Sequence, residues 1–108
     1  VTGINGFIGQ NLVKKLSESH TVYGLSRQSS KVNLPNYTPI ISDLQENFKD
    51  LIPKGIDIII HLAQSNQYRN VPDGIADMYA INTNATFKLL EWGRKNNIKK
   101  FIFTCIGN

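Results

Sequence analysis

The residues best suited to chemistry lie at the start of the chain, in the segment TGINGFIG. This segment places Gly3, Gly6 and Gly9 three residues apart, where a strand passes into a helix. Gly3 allows a tight turn, Gly6 lets backbone amides approach a pyrophosphate without a Cβ in the way, and Gly9 lets the helix pack closely. The helix N-terminus carries about half a positive charge, which suits an anion. The spacing predicts a dinucleotide phosphate site, and a tight turn without a ligand is the alternative.

The end of the second predicted strand carries an arginine that bears on the choice of coenzyme. About twenty residues beyond the glycines, where such folds keep an acidic residue for the ribose hydroxyl, the chain reads Gly24-Leu25-Ser26-Arg27. An arginine suits a 2′-phosphate, so Arg27 favours NADP over NAD, and a solvated surface arginine is the alternative. No Gly-Lys-Ser/Thr follows the glycines, which argues against the phosphate loop of an ATPase or GTPase.

Alternating strands and helices must position these residues. Apolar spacing predicts helices over 7–19, 44–51 and 73–96, the last with Asp73 as N-cap, and strands over 21–25, 39–42, 56–63 and 100–105. The run IDIIIHLA suits a central strand that is buried on both faces. Residues 1–3 are interpreted as the tail of a first strand. The pattern predicts an α/β, Rossmann-type doubly wound parallel sheet, partial, with strand order 3-2-1-4-5 and ligands beyond the carboxyl ends of its strands.

Composition and charge argue against several classes of protein. The 108 residues include 12 Lys+Arg and 8 Asp+Glu, a formal charge of +4, and 41% are hydrophobic, which is ordinary for one globular domain. The cations are scattered, and their one dense group falls at a predicted helix end, so no nucleic-acid partner is expected. One cysteine and two distant histidines predict neither a disulfide nor a metal site. No apolar run approaches the ~18 residues of a membrane span, and a cytoplasmic location is expected.

Five segments in order give the chain a family resemblance. TGINGFIG, SDL (42–44), IIHLA (59–63), NTNATFKLL (82–90) and FIFTC (101–105) resemble the landmarks of the NAD-dependent epimerase/dehydratase family, the extended short-chain dehydrogenases/reductases. The resemblance covers essentially the whole chain. It implies a nicotinamide cofactor, NADP or NAD, a nucleotide-sugar or similar small-molecule substrate, and a possible homodimer.

The resemblance also implies the residues of the cofactor site. By this resemblance Phe7 and Ile8 would lie beneath the pyrophosphate, and Asp43 and Leu44 would contact adenine. Leu62, Ala63 and Gln64 would line the nicotinamide side. The full expected set is Gly3, Asn5, Gly6, Phe7, Ile8, Gly9, Arg27, Asp43, Leu44, Leu62, Ala63, Gln64 and Asn82.

Asn82 interrupts an apolar helical stripe and therefore needs partners for its amide. An unpaired buried amide costs about 1–3 kcal/mol. One interpretation is a hydrogen bond that ties the helix to a neighbouring strand or loop. The resemblance implies a place near the active site, where Asn82 helps to hold the strands that flank the cofactor, and the two interpretations are compatible. In the loop 65–72, Tyr68 and Arg69 either contact a substrate phosphate or simply lie exposed.

The chain departs from the family at the groups that carry its reductive chemistry. The family uses a Tyr-x-x-x-Lys pair, whose lysine lowers the pKa of the tyrosine. The fourth residues after the four tyrosines are Arg27, Ile41, Pro72 and Thr83, so no such pair is present. We expect residues 1–108 to be a dinucleotide-binding domain truncated at both ends, inactive alone, with the substrate domain and the Tyr/Lys pair absent from it.

A second departure concerns the family's catalytic hydroxyl. It falls on Ile106, and a shift of register assigns the role to Thr104 instead, with Cys105 as a small stand-in for serine. The leading prediction is the N-terminal NAD(P)-binding part of a nucleotide-sugar epimerase/dehydratase-like oxidoreductase. The alternative, motivated by Ile106, is a non-catalytic NAD(P)-sensing regulatory protein of the same fold. A flavodoxin-like or methyltransferase domain is a third possibility.

Overall fold

The strands form one parallel arrangement in the predicted order. A computed structural model describes residues 1–28, 33–67 and 69–104. In it β1 (Val22–Ser26) pairs with β2 (Tyr37–Ile41), and β3 (Ile58–His61) pairs with β4 (Lys100–Phe103), both in parallel. Thr2 bridges Leu25 on one side and His61 on the other, and so joins the two pairs. With residues 1–2 counted as the first strand, the order 3-2-1-4-5 is confirmed.

Helices cover both faces of the sheet. Helix α1 (Phe7–Leu16) packs through Val13 into a buried cluster with Ile4 and Val22. A second cluster contains Leu25, Leu44, Phe48, Ala85 and Leu89. Val22 and Leu25 lie three residues apart on β1, so their side chains point to opposite faces. The two clusters therefore lie on opposite faces, which makes the fold doubly wound.

The predicted long helix is continuous but not uniform. It runs as α2 (Ile75–Met78), a π-helix (Tyr79–Asn84) and α3 (Ala85–Lys95). Gly74 occupies the N-cap without a side-chain hydrogen bond, so the prediction of Asp73 as N-cap is wrong. No helix within the described ranges is long and apolar enough to cross a membrane.

The predicted helix over 44–51 is wrong, because only a 3-10 turn (Lys49–Leu51) forms there. The Asp43 Oδ1 atom accepts a hydrogen bond from the backbone amide of Gln45 at 2.9 Å. This local bond competes with helical backbone pairing. Phe48 is fully buried in the second cluster and anchors the segment. The first helix ends at Leu16 rather than at residue 19.

Candidate functional site

An open cleft of about 800 Å³ lies at the carboxyl edge of the sheet. Apart from Ile81, its walls lie at or just after the ends of the strands: the glycine turn (residues 3–9), then 25–27, 42–44 and 62–64, and finally Thr104 after β4. Parallel strands bring their carboxyl ends to one edge, where α/β sheets bind ligands. The topology alone therefore gathers segments that are distant in sequence.

The glycine turn is held by close backbone packing at two of its glycines. Gly3 has a φ of 70°, and a Cβ on it would lie 2.7 Å from the Ala63 nitrogen. A Cβ on Gly9 would overlap the Gly3 carbonyl oxygen. Larger residues at positions 3 and 9 would thus collide with backbone that cannot move aside cheaply. These two glycines are explained by the fold itself.

Gly6 differs, because packing within the protein does not require it. Its φ is −76°, which any residue adopts, and a Cβ on it would meet only the Gly3 carbonyl oxygen, at an ordinary 3.5 Å. Gly6 is exposed and lines the cleft. A glycine at this position keeps the cleft open next to the backbone, as the close approach of a ligand requires.

The start of α1 offers backbone donors to the same part of the cleft. Gly6 is the N-cap, and the described residues supply neither a side-chain cap nor an acidic residue in the first turn. Phe7 and Ile8 line the cleft and are 85% and 63% exposed. The amides of a first helical turn have no acceptor within the helix, and the helix dipole favours negative charge there. An anion is the ligand that this geometry suits.

A buried hydrogen-bond chain supports the floor of the cleft. The Thr86 hydroxyl donates to the Asn82 carbonyl oxygen at 2.9 Å, so it accepts from His61 Nε2, also at 2.9 Å. The Thr2 hydroxyl donates to His61 Nδ1 at 2.7 Å and accepts the amides of residues 62–63, each at 3.1 Å. The network assigns the proton to Nε2 of a neutral imidazole.

Burial keeps His61 neutral. Its side chain is fully buried, and desolvation lowers its pKa from 6.5 to about 4. Sequence reasoning considered His61 only as a metal ligand and missed this role, because the partner threonines are distant in sequence. Within the described residues, no three His, Cys, Asp or Glu side chains are grouped to hold a metal ion.

Asn82 contacts the loop that follows β3, here called the serine loop (residues 62–67). Its Oδ1 atom accepts a hydrogen bond from the Ser65 amide at 2.8 Å, which is the predicted tie from the helix to a loop. Asn82 does not line the cleft, so a contact with the cofactor stays a prediction. Nearby, Gln64 Nε2 donates to the Thr104 carbonyl oxygen at 3.0 Å and joins the ends of β3 and β4.

The cleft brings most of the predicted site residues together. These are Gly3, Asn5, Gly6, Phe7, Ile8, Gly9, Arg27, Asp43, Leu44, Leu62, Ala63, Gln64 and Thr104. The lining residues that sequence reasoning missed are Ile4, Leu25, Ser26, Ser42 and Ile81. All of these lie within two residues of a predicted one, and Ile81, which precedes Asn82, belongs to the π-helix, which no sequence pattern indicated. Tyr68, Cys105 and Ile106 lie outside the described residues.

Comparison with known proteins gives the site a family context. The model of the NAD dependent epimerase/dehydratase family matches residues 1–105. A protein named "Putative UDP-glucose 4-epimerase" from Methanocaldococcus jannaschii is 31% identical over 99% of this chain and 37% of its own length. The UDP-N-acetylglucosamine 4-epimerase from Methanobrevibacter ruminantium, solved with UDP-N-acetylmuramic acid, has a TM-score of 0.80 at 30% identity.

A further solved structure is equally similar in fold to this chain. The protein MoeE5, in complex with UDP-glucose and NAD, has a TM-score of 0.80 at 27% identity. The similarity covers 94% of this chain in both structures, but 35% of the Methanobrevibacter chain and 34% of MoeE5. The chain thus spans about a third of the length of these relatives. On the match to the family model over almost its whole length, the chain belongs to the NAD-dependent epimerase/dehydratase family.

Proposed function

We propose that the cleft binds a nicotinamide dinucleotide and that the chain is the cofactor-binding part of a nucleotide-sugar epimerase/dehydratase-like oxidoreductase. The observation that carries this proposal is Gly6, a glycine that packing does not require, beside uncapped helix amides in an open cleft. A pyrophosphate supplies the negative charge that these amides accept, and it occupies the space that a Cβ at position 6 would reduce.

The remaining walls fit the other parts of a dinucleotide. Asp43 and Leu44 after β2 would hold adenine, and Leu62, Ala63 and Gln64 after β3 would line the nicotinamide side. The bound cofactor supplies the hydride donor or acceptor. The residues of this chain bind and orient it, since they form the walls on either side of the turn.

Arg27 is the basis for proposing NADP as the preferred coenzyme. It is exposed at the end of β1 and lines the cleft beside the glycine turn. A guanidinium at this position would pair with a 2′-phosphate in two hydrogen bonds, whereas NAD offers it only a hydroxyl. NAD binding with a weaker contribution from Arg27 is the other outcome.

Thr104 is the proposed catalytic hydroxyl within this chain. It is half-buried where β4 ends, it lines the cleft, and its carbonyl oxygen accepts the Gln64 side chain. The hydroxyl would hydrogen-bond to a substrate hydroxyl beside the cofactor. Because the chain spans about a third of its relatives, we further propose that the Tyr/Lys pair and the substrate domain belong to other parts of the whole protein.

An enzyme is preferred to a regulatory sensor on the present observations. The sensor hypothesis depended on Ile106, which lies outside the described residues, while two of the three similar proteins above carry epimerase names. A homodimer and a cytoplasmic location stay predictions. Exposed apolar residues on the long helix, Ile75, Tyr79, Phe87 and Leu90, form the surface on which to test self-association.

The proposed function is tested by two measurements on the whole protein. Isothermal titration calorimetry with NAD and NADP should give a Kd in the range of about 1 μM to 1 mM for at least one of them. Turnover is then measured by chromatography of UDP-sugars incubated with the protein and its coenzyme, because an epimerisation or dehydration returns the coenzyme to its starting oxidation state. Absence of heat with both coenzymes would overturn the binding proposal, and binding without turnover would favour the sensor.

A further inference from the structure

We propose that Asp77 is a positioning residue that fixes the distance between the two walls of the cleft. On this inference, which rests on the proposed function, a ligand that spans both walls binds well only while the two hydrogen bonds of Asp77 are intact. Asp77 lies in α2 and does not itself line the cleft. It acts through the two side chains that it holds.

The two oxygens of the Asp77 carboxylate bind residues that follow two different lining segments of the cleft. Oδ1 accepts a hydrogen bond from Gln45 Nε2 at 2.8 Å, and Oδ2 accepts one from the Ser65 hydroxyl. Gln45 follows the cleft residues Asp43 and Leu44 after β2. Ser65 directly follows the lining segment 62–64 after β3. One carboxylate therefore links the proposed adenine wall to the proposed nicotinamide wall.

The Ser65 arm of this link is rigid. Ser65 is only 5% exposed, its amide donates to Asn82 Oδ1, and its hydroxyl oxygen also accepts the Gln67 amide at 3.1 Å. Buried polar groups with every bond made hold one geometry, because leaving any of them unpaired carries a desolvation cost. A shift of Asp77 would therefore shift the serine loop by a similar distance.

The Gln45 arm is exposed and attaches to a wall with its own local structure. The Gln45 side chain lies at the surface, while the backbone amide of Gln45 donates a hydrogen bond to the Asp43 carboxylate. Loss of the Asp77 bond would therefore leave the turn at Asp43 folded. What would be lost is the spacing between that turn and the serine loop.

This arrangement makes a prediction that separates positioning from folding. ADP would contact the proposed adenine wall and the glycine turn only, whereas a dinucleotide would reach both walls. A change in wall spacing should weaken the dinucleotide far more than ADP. General destabilisation of the domain would weaken both ligands alike.

The chemistry of the side chain supplies a conservative variant. An asparagine at position 77 keeps an oxygen for the Ser65 hydroxyl, and its amide can donate to the Gln45 Oε1 atom once the Gln45 amide turns over. Asp77→Asn should therefore restore what Asp77→Ala loses. Glu91→Ala is the matched control, because Glu91 is a carboxylate on the same long helix whose hydrogen bonds are made to Arg94 within that helix.

The experiment compares the Kd values of ADP and of the coenzyme that wild type binds more tightly, using the whole protein. We expect Asp77→Ala to weaken the coenzyme about tenfold and ADP by no more than about twofold. Gln45→Ala, at an exposed position, should weaken the coenzyme about threefold with ADP unchanged, and Asp77→Asn should stay within about threefold of wild type.

Each other outcome counts against the proposal. Equal losses for ADP and coenzyme in Asp77→Ala, together with an unaffected Gln45→Ala, would assign Asp77 a purely structural role and leave the proposed function standing. A coenzyme affinity in Asp77→Ala equal to that of Glu91→Ala would also overturn it. Failure of wild type to bind either coenzyme would instead overturn the proposed function, and this inference with it.

Discussion

The glycine turn and the serine loop face the same cleft but are held by different forces. Backbone atoms of the turn approach so closely that positions 3 and 9 accept no Cβ. In the serine loop, Ser65 is held by side chains from a helix more than ten residues further along the chain. The turn is fixed by steric exclusion, whereas the loop is fixed by hydrogen bonds that single substitutions can remove one at a time.

This difference predicts how each region responds to mutation. Damage at positions 3 and 9 of the turn should appear as lost stability, since backbone overlap leaves no alternative packing. Damage to the serine loop should appear mainly as altered ligand affinity, because its backbone stays attached to β3. Four predictions test this comparison, in order of decreasing effect.

Gly9→Ala should break the turn. The added Cβ would overlap the Gly3 carbonyl oxygen, and we expect the free energy of unfolding to fall by about 4 kcal/mol or more. Chemical denaturation of the variant and of wild type measures this loss. A loss below about 1 kcal/mol, the size expected for an ordinary surface change, would contradict the steric account of the turn.

His61 lies between the two regions, because it bonds Thr2 ahead of the glycine turn and directly precedes the serine loop. Its protonation should make the protein less stable in acid. Its pKa is lowered by burial from 6.5 to about 4, so the unfolded chain takes up the proton at a higher pH than the folded one. The contribution to stability is complete above pH 6.5 and is lost as the pH falls from there to about 4. This loss amounts to about 3 kcal/mol.

Denaturation curves between pH 7 and pH 4 measure the effect. His61→Gln should lower the slope of stability against pH in this range, and His20→Gln, at an exposed position, is the matched control. An equal slope in wild type and in His61→Gln would show that the imidazole does not control the acid sensitivity.

Gly6→Ala sharpens the comparison, because it tests the ligand-facing side of the same turn. The new Cβ would meet only one atom, at 3.5 Å, so stability should change by no more than about 1 kcal/mol. Coenzyme affinity should fall about thirtyfold, since the methyl group would stand where the phosphates approach. Gly9→Ala and Gly6→Ala thus form a pair that separates packing from binding, and unchanged coenzyme affinity in Gly6→Ala would contradict it.

Arg27→Asp should have the smallest effect, on coenzyme choice alone. Replacing the guanidinium by a carboxylate should weaken NADP about tenfold through loss of its 2′-phosphate partner, and should leave NAD unchanged or improved. Calorimetric titration with each coenzyme gives the ratio. An NADP/NAD affinity ratio equal to that of wild type would show that Arg27 does not determine coenzyme specificity.

The same comparison explains what the sequence predicted. Strand order and the helix behind the turn follow from local features, namely glycine spacing, β-branched runs and apolar periodicity. The residues of the cleft after β2 and β3 were predicted from the family resemblance. Once the sheet order is known, the carboxyl ends of the strands must meet, so residues 42–44 and 62–64 fall on one cleft without further information.

Features that depend on distant side chains could not be predicted in this way. The chain from Thr2 through His61 to Thr86 joins three elements that are at least 25 residues apart, and Asp77 joins two loops to a helix. The failed helix over 44–51 has the same origin, because its apolar spacing was correct but burial of Phe48 and the local bond at Asp43 decided the backbone. Long-range pairing of polar groups leaves no periodic signal.

The central claim, that backbone amides of the glycine turn hold the dinucleotide phosphates, is tested most directly by nuclear magnetic resonance. Amide chemical shifts of the isotopically labelled whole protein are followed as NAD or NADP is added. We predict that the largest shifts occur at the amides of residues 6–9, with smaller ones at 42–44 and 62–64. Saturable binding that leaves residues 6–9 unshifted, or no binding by either coenzyme, would contradict the account.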